Sequence, residues 1–138
     1  QCYIIFRLPS FSRNLRHELK ASRKIYFCDN GIRNALIADY SAPEIRQDIG
    51  ALWENFVVSE RMKCNEYYSH WVNRYFWRTT QQQEIDYLEE GGGKLQAYEI
   101  KWNARKKATI TKTFTDAYPN TAFKVITPDN IAEFLLPE

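Results

Sequence analysis

Three consecutive glycines, Gly91, Gly92 and Gly93, separate two stretches in which a β-branched or aromatic residue recurs about every second position. Glycine adopts positive φ without steric cost, so the triplet suits a tight reversal and its flanks read as antiparallel strands, 83 to 90 and 95 to 101. Strand side chains alternate faces, so Glu84 and Asp86 share one face of the first strand, and Glu99 and Lys101 share one face of the second. With Gly92 and Gly93 as the loop, or with a four-residue loop from 91 to 94, Asp86 falls opposite Glu99 and Glu84 opposite Lys101. A three-residue loop would break this register.

Directly opposed side chains lie roughly 5 Å apart at Cβ. Two carboxylates at that spacing repel and raise each other's pKa unless a proton or cation lies between them. Asp86 and Glu99 are therefore candidates to share one hard cation through oxygen. The same residues also suit a solvated hairpin face, where exposed pairs contribute well under about 1 kcal/mol each.

At 138 residues the chain is long enough for one domain, 1–138, that buries roughly two thirds of its unfolded surface without disulfides or structural metal. It opens on Gln1, and its sole methionine is Met62, which predicts a piece of a longer polypeptide with domains upstream. Cys2, Cys28 and Cys64 are widely spaced, and only His17 and His70 could supply ring nitrogens, so neither a zinc site nor a disulfide framework is expected. No apolar run approaches the roughly 20 residues of a membrane span and no signal-peptide pattern opens the chain, so a cytoplasmic protein without a membrane partner is predicted.

Nineteen basic residues against 17 acidic leave a net charge of +2, too little to argue nucleic-acid binding by itself. The distribution says more. Arg105, Lys106, Lys107 and Lys112 follow Lys101 without an intervening acid, a candidate phosphate track that could equally be a solvated face. A second cluster, Arg13, Arg16, Lys20, Arg23 and Lys24, is interrupted only by Glu18.

Along the chain, residues 2 to 8 and 24 to 28 read as strands able to pair, and Asp29-Asn30-Gly31 caps a short helix through Ile37. Pro43 predicts a helix start, followed by an apolar stripe of Ile45, Ile49, Leu52, Trp53, Phe56 and Val57. Glu54 falls off that stripe among Gly50, Ala51, Val58 and Met62, so it is either solvent-facing or aimed into a cleft. The aromatic and arginine mixture at 67 to 78 ends in a strand from Arg74 to Thr79 and reads as core strand with snorkelling cations, or as a base-stacking surface. A turn at Gln81 and Gln82 completes a three-strand meander. A helix near 106 to 117, a strand at 122 to 127 parallel to the sheet, and a helix ending at Leu135 follow. The fold class is α/β, a mixed sheet flanked by helices.

Lys24-Ile-Tyr-Phe-Cys-Asp-Asn-Gly31, Gly50-Ala-Leu-Trp-Glu-Asn55, Glu84-Ile-Asp86 and Tyr98-Glu-Ile-Lys101 together resemble the PD-(D/E)XK nuclease superfamily. Within it, they are similar to the uncharacterised C-terminal domain of bacterial and archaeal AAA-type ATPases. The resemblance implies a restriction-endonuclease-like mixed sheet and an Mg2+- or Mn2+-dependent nuclease acting on DNA. It implies that Asp86 and Glu99 bind the cation, Lys101 positions the attacking water and Glu54 adds a ligand. It also implies an upstream ATPase, with residues 1 to 28 as a connecting hairpin, and leaves an oligomer open. No GxxxxGK[ST] occurs, so no ATP site is expected in these residues. Ile85 stands where the superfamily name has proline. A catalytically inactive nucleic-acid-binding, protein-interaction or regulatory module of the ATPase is the alternative.

Overall fold

The computed structural model describes residues 4–13 and 15–136. Its strands are β1 (Ile5–Pro9), β2 (Arg23–Phe27), β3 (Asn73–Arg78), β4 (Glu84–Gly91), β5 (Lys94–Ile100) and β6 (Ala122–Ile126). Its helices are α1 (Asn30–Leu36), α2 (Ile49–Tyr67), α3 (Lys112–Ala117) and α4 (Ile131–Leu135). The protein is α/β. A four-stranded sheet runs β3-β4-β5-β6, antiparallel except for the β5/β6 pair, and β1 and β2 form a separate antiparallel hairpin. Residues 2 and 3 of the expected first strand lie outside the described residues.

The turn after β4 uses the glycines as expected: Gly92 and Gly93 have φ of 57° and 73°, a conformation open to glycine and strained for most other residues. The resulting ladder runs from Gly91↔Lys94 back to Tyr87↔Tyr98, the register of a two-residue loop. α3 supplies the crossover that a parallel β5/β6 pair requires.

The sheet is covered on both faces. On one, Trp53, Val57 and Val58 of α2, Tyr26 of the hairpin and Phe134 of α4 pack with Phe76, Tyr87, Tyr98 and Ile100. On the other, Phe11, Phe114 and Tyr118 pack with Trp77, Ile85, Leu88 and Ala97. Each large side chain fully buried in this way contributes on the order of 2 kcal/mol. The connection between β1 and β2 lies along the edge of β3, with Phe11 N donating to Phe76 O (2.7 Å) and Leu19 N to Arg78 O (2.9 Å). Glu18 pins that connection: its buried carboxylate accepts from Trp77 Nε1 and Arg13 N, both at 2.9 Å, and from the Tyr118 hydroxyl. The polar segment thus covers what would otherwise be an open strand edge.

Two sequence expectations change. The helix does not start at Pro43. Pro43–Ile45 is a lone 3₁₀ turn, Arg46 is extended (ψ 135°), and its guanidinium folds back onto Asp48 (2.8 Å) and the Asp39 carbonyl (3.0 Å), so α2 begins at Ile49. Ile45, placed on the apolar stripe, is instead 74% exposed. The helix expected at 106 to 117 is confined to Lys112–Ala117, because Thr111 caps it by accepting from Phe114 N and the preceding Thr109-Ile110 pair is β-branched. The strand expected from Arg74 to Thr79 forms as β3, with Phe76 and Trp77 wholly buried, while Tyr67 and Trp71 before it are 83% exposed. No helix of the described residues is long and apolar enough to cross a membrane.

Candidate functional site

The centre of the site is made by an irregularity in β4. Tyr75 pairs with Leu88 but Trp77 with Ile85, so a single residue of β3, Phe76, faces two of β4, Asp86 and Tyr87. This is a β-bulge, and it breaks the simple alternation: Ile85 and Tyr87, two apart, fall in opposite core layers. Asp86 is turned toward the layer under α2, at the point where the β4/β5 ladder ends. There its Oδ2 accepts from Ile100 N at 2.8 Å, a side chain replacing the next ladder bond.

Asp86 makes no ion pair among the described residues. Burial, then the fields of Glu54 and Glu99, push its carboxyl up to about 7, against the backbone hydrogen bond from Ile100. Glu54 reaches this point from α2. Its Oε1 accepts from Lys24 Nζ (3.0 Å) and from the Tyr26 hydroxyl (2.6 Å), both on β2 and two residues apart on one strand face. Lys24 also bridges to Glu84, whose second partner is Arg78. Burial opposes the Lys24 charge, but Glu54 and Glu84 outweigh it and hold the ammonium above its ordinary range.

The next residue of α2 explains why β2 lies there. Buried Asn55 accepts from Phe27 N (2.8 Å), donates to Phe27 O (2.9 Å) and donates to Asn30 Oδ1 (2.8 Å). It satisfies the end of β2 and the start of α1 together, and so fixes the hairpin against the helix face that carries Glu54. Sequence reasoning named Glu54 but missed Lys24 and Tyr26 as its partners. The signal was the i, i+2 spacing of those two residues on a strand, together with an Asn next to the Glu.

On β5, Glu99 Oε1 accepts from Lys101 Nζ at 2.7 Å. Burial works against the Lys101 ammonium, yet Glu99 first, with Asp86 and Glu54 behind it, raises its pKa above the ordinary value. Beyond Lys101 the chain opens into a cleft of about 460 Å³, lined by Gly50 and Glu54 on one side and by Asp86, Lys101, Trp102 and Lys106 on the other. The three carboxylates and the lysine chosen from the sequence therefore come together. Two details differ. The ladder stops at Tyr87↔Tyr98, so Asp86 and Glu99 are the first positions beyond it and not a bonded pair. Glu84 does not face Lys101, because the bulge and Lys24 draw it to Arg78.

The basic run divides. Lys106 lines the cleft, Arg105 and Lys107 are exposed, and Lys112 is held by Asp116 (2.6 Å) one helical turn on. Among the described residues no group of three or more His, Cys, Asp or Glu side chains is arranged to hold a metal ion. The donors present are all oxygen and half-buried, which fits a hard divalent cation held by one or two carboxylates plus water. They do not form a closed protein cage.

A family model described as a domain of unknown function, DUF4143, matches residues 49–134, the span that holds α2 and the whole four-stranded sheet. The chain belongs to the DUF4143 family. Of the site residues, Glu54, Asp86, Glu99 and Lys101 all fall within the DUF4143 match. A second domain of unknown function, DUF8612, matches residues 1–58, the part that contributes Lys24 and Tyr26. The uncharacterised proteins Rv2008c of Mycobacterium tuberculosis and Mb2031c of Mycobacterium bovis are each 30% identical over 103 residues, covering 71% of this chain and 22% of theirs. The chain thus spans about a fifth of the length of these relatives. No solved structure matches it.

Proposed function

We propose that this domain is a metal-dependent, PD-(D/E)XK-like nuclease module, hydrolysing phosphodiesters of DNA as part of a longer AAA-type ATPase. What carries the reading is one observation: Asp86 is set by a bulge near Glu54 and Glu99 in the wall of a cleft, while the lysines there pair with the glutamates and leave Asp86 without an ion pair of its own among the described residues. A fold has no need of an uncompensated carboxylate at that point, whereas a cation site does. Members of the DUF4143 family are usually found with AAA-type ATPases, which supports the setting.

In this reading Asp86 and Glu99 hold Mg2+ or Mn2+, and Glu54 adds a ligand or orients its water. When bound, the cation supplies stabilisation of phosphate charge and activation of water. Lys101 stands beside the carboxylates to position the attacking water and to stabilise the negative charge that develops on phosphate. Tyr26 and Lys24 hold Glu54 in place, and Lys106 meets the incoming phosphate at the cleft rim. The test is cleavage of single-stranded and duplex DNA and of RNA with magnesium or manganese, by the chain alone and joined to its ATPase, with Asp86→Asn as control. Cleavage that Asp86→Asn abolishes is the expected result. No cleavage of any of these, even with the ATPase attached, would overturn the nuclease.

One observation favours a second reading, a non-catalytic regulatory or nucleic-acid-binding module. Lys24 and Lys101 already neutralise Glu54 and Glu99, so the site can rest without metal. That module would bind nucleic acid or a protein without consuming it, and manganese would not raise its melting temperature.

A further inference from the structure

Trp102 is the residue immediately after Lys101, and it is 42% exposed in the wall of the cleft. Single exposed aromatics are common and need no explanation. This one is fixed in place on three sides. Lys101 N donates to Ile126 O (2.9 Å), anchoring the chain just before it. Asn103 closes the turn just after it, its Oδ1 accepting from Arg105 N and its carbonyl from Lys106 N, both at 3.0 Å. Behind it, Trp53 meets the ring edge to face, with centroids 5.6 Å apart at 66°, and Trp53 is itself stacked on Phe56. Trp102 keeps 42% of its surface exposed and lines the same cleft as Lys106, which the turn brings beside it. Gly50 lines the same cleft, and a Cβ there would meet nothing within 4 Å.

A rigid indole surface, an ammonium and a carboxylate cluster thus line one cavity whose volume suits a nucleotide. Aromatic rings that accept bases without sequence preference are the usual platform for unpaired strands, because every base has a π face and only an unstacked base can offer it. In a duplex, both faces of each base are already covered by its neighbours. We infer that Trp102 stacks the base of the nucleotide whose phosphate reaches Asp86 and Lys101, so that the ligand of this cleft is single-stranded nucleic acid. The inference rests on the nucleic-acid reading above and deepens it.

The test is fluorescence anisotropy of short labelled oligonucleotides with calcium in place of magnesium or manganese, the strands being checked afterwards to be uncut. It compares the wild-type chain with Trp102→Ala and Trp102→Phe, each first checked for an unchanged melting transition. The single strand should bind more tightly than the same sequence as a duplex. Trp102→Ala should weaken the single strand by about 5-fold or more, the scale of one stacked base, while Trp102→Phe keeps most of the affinity. Replacing bases of the strand by abasic sites should cost wild type about as much and the Ala variant nothing further. Equal affinity of wild type and Trp102→Ala for the single strand, or equal affinity for strand and duplex, would overturn this inference and leave the nuclease reading standing. Binding of no strand of any kind would overturn the nucleic-acid reading itself.

Discussion

Glu89 and Asp86 leave the same strand three residues apart, on the side that α2 covers, and their surroundings differ in one respect. Glu89, 2% exposed, accepts from Arg61 through Nε (2.7 Å) and Nη2 (2.9 Å), from Asn65 (3.0 Å) and from the Tyr87 hydroxyl (2.8 Å). Burial alone would raise its pKa, but these partners, Arg61 foremost, hold it below the ordinary carboxylate range. Asp86 has one backbone donor and, among the described residues, no ion pair. Burial and the fields of Glu54 and Glu99 outweigh those of Lys24 and Lys101, and its carboxyl is pushed up to about 7. A carboxylate completed by its own fold is structure. One that the fold leaves incomplete is available to bind something.

The largest effect should come from breaking the completed centre. Arg61→Ala leaves Glu89 buried without its cation and should cost about 3–5 kcal/mol of unfolding free energy by urea titration. A cost near zero would mean that water reaches Glu89 and that the two centres differ less than their partners suggest.

Asp86→Asn should act in the opposite direction. A carboxyl whose folded pKa is raised contributes stability that is fully present below its unfolded value of 3.8 and is lost as pH rises through about 7. Asparagine keeps an acceptor for Ile100 N but carries no charge. The variant should therefore be more stable than wild type by on the order of 2–4 kcal/mol near pH 8, with the gain fading toward pH 4, as melting temperature against pH would show. Glu89 has the reverse sign: its contribution is present above its unfolded value and lost as pH falls through its lowered folded one. Identical pH profiles for wild type and Asp86→Asn would remove the difference between the two centres.

Lys101→Met separates chemistry from charge balance. If Lys101 orients water, cleavage should fall about 100-fold or more, while cation affinity stays the same or improves through loss of a competing ammonium. Asp86→Asn should lose cation and activity together. Smallest is the rim. Replacing Lys106 and Lys107 by Ala should weaken nucleic-acid binding and lower the slope of log K against log salt by up to about 2, one for each phosphate no longer neutralised. Lys112→Ala should change little, since Asp116 already holds that ammonium.

Much of this was legible in the chain. The glycine triplet set the register of β4 on β5, and alternation placed Glu99 beside Lys101, because both are local properties of strands and turns. The bulge at Asp86 was not legible: it arises only when β4 is paired with β3, and a period-2 reading of one strand cannot contain it. Glu54 could be singled out by its mixed surroundings on α2, but its ties to Lys24 and Tyr26 depend on Asn55 docking a hairpin 28 residues away in sequence. The start of α2 was misplaced for a similar reason, since the break at Arg46 follows from its contacts with Asp48 and Asp39.

Whether a cation completes Asp86 decides between a working centre and an inert one, and crystals soaked with manganese near pH 8 test that most directly by anomalous diffraction. The expected result is a single strong peak coordinated by Asp86 together with Glu99 or Glu54, absent from Asp86→Asn crystals treated in the same way. A map with no peak at Asp86, and with Lys24 and Lys101 still paired to Glu54 and Glu99, would contradict it.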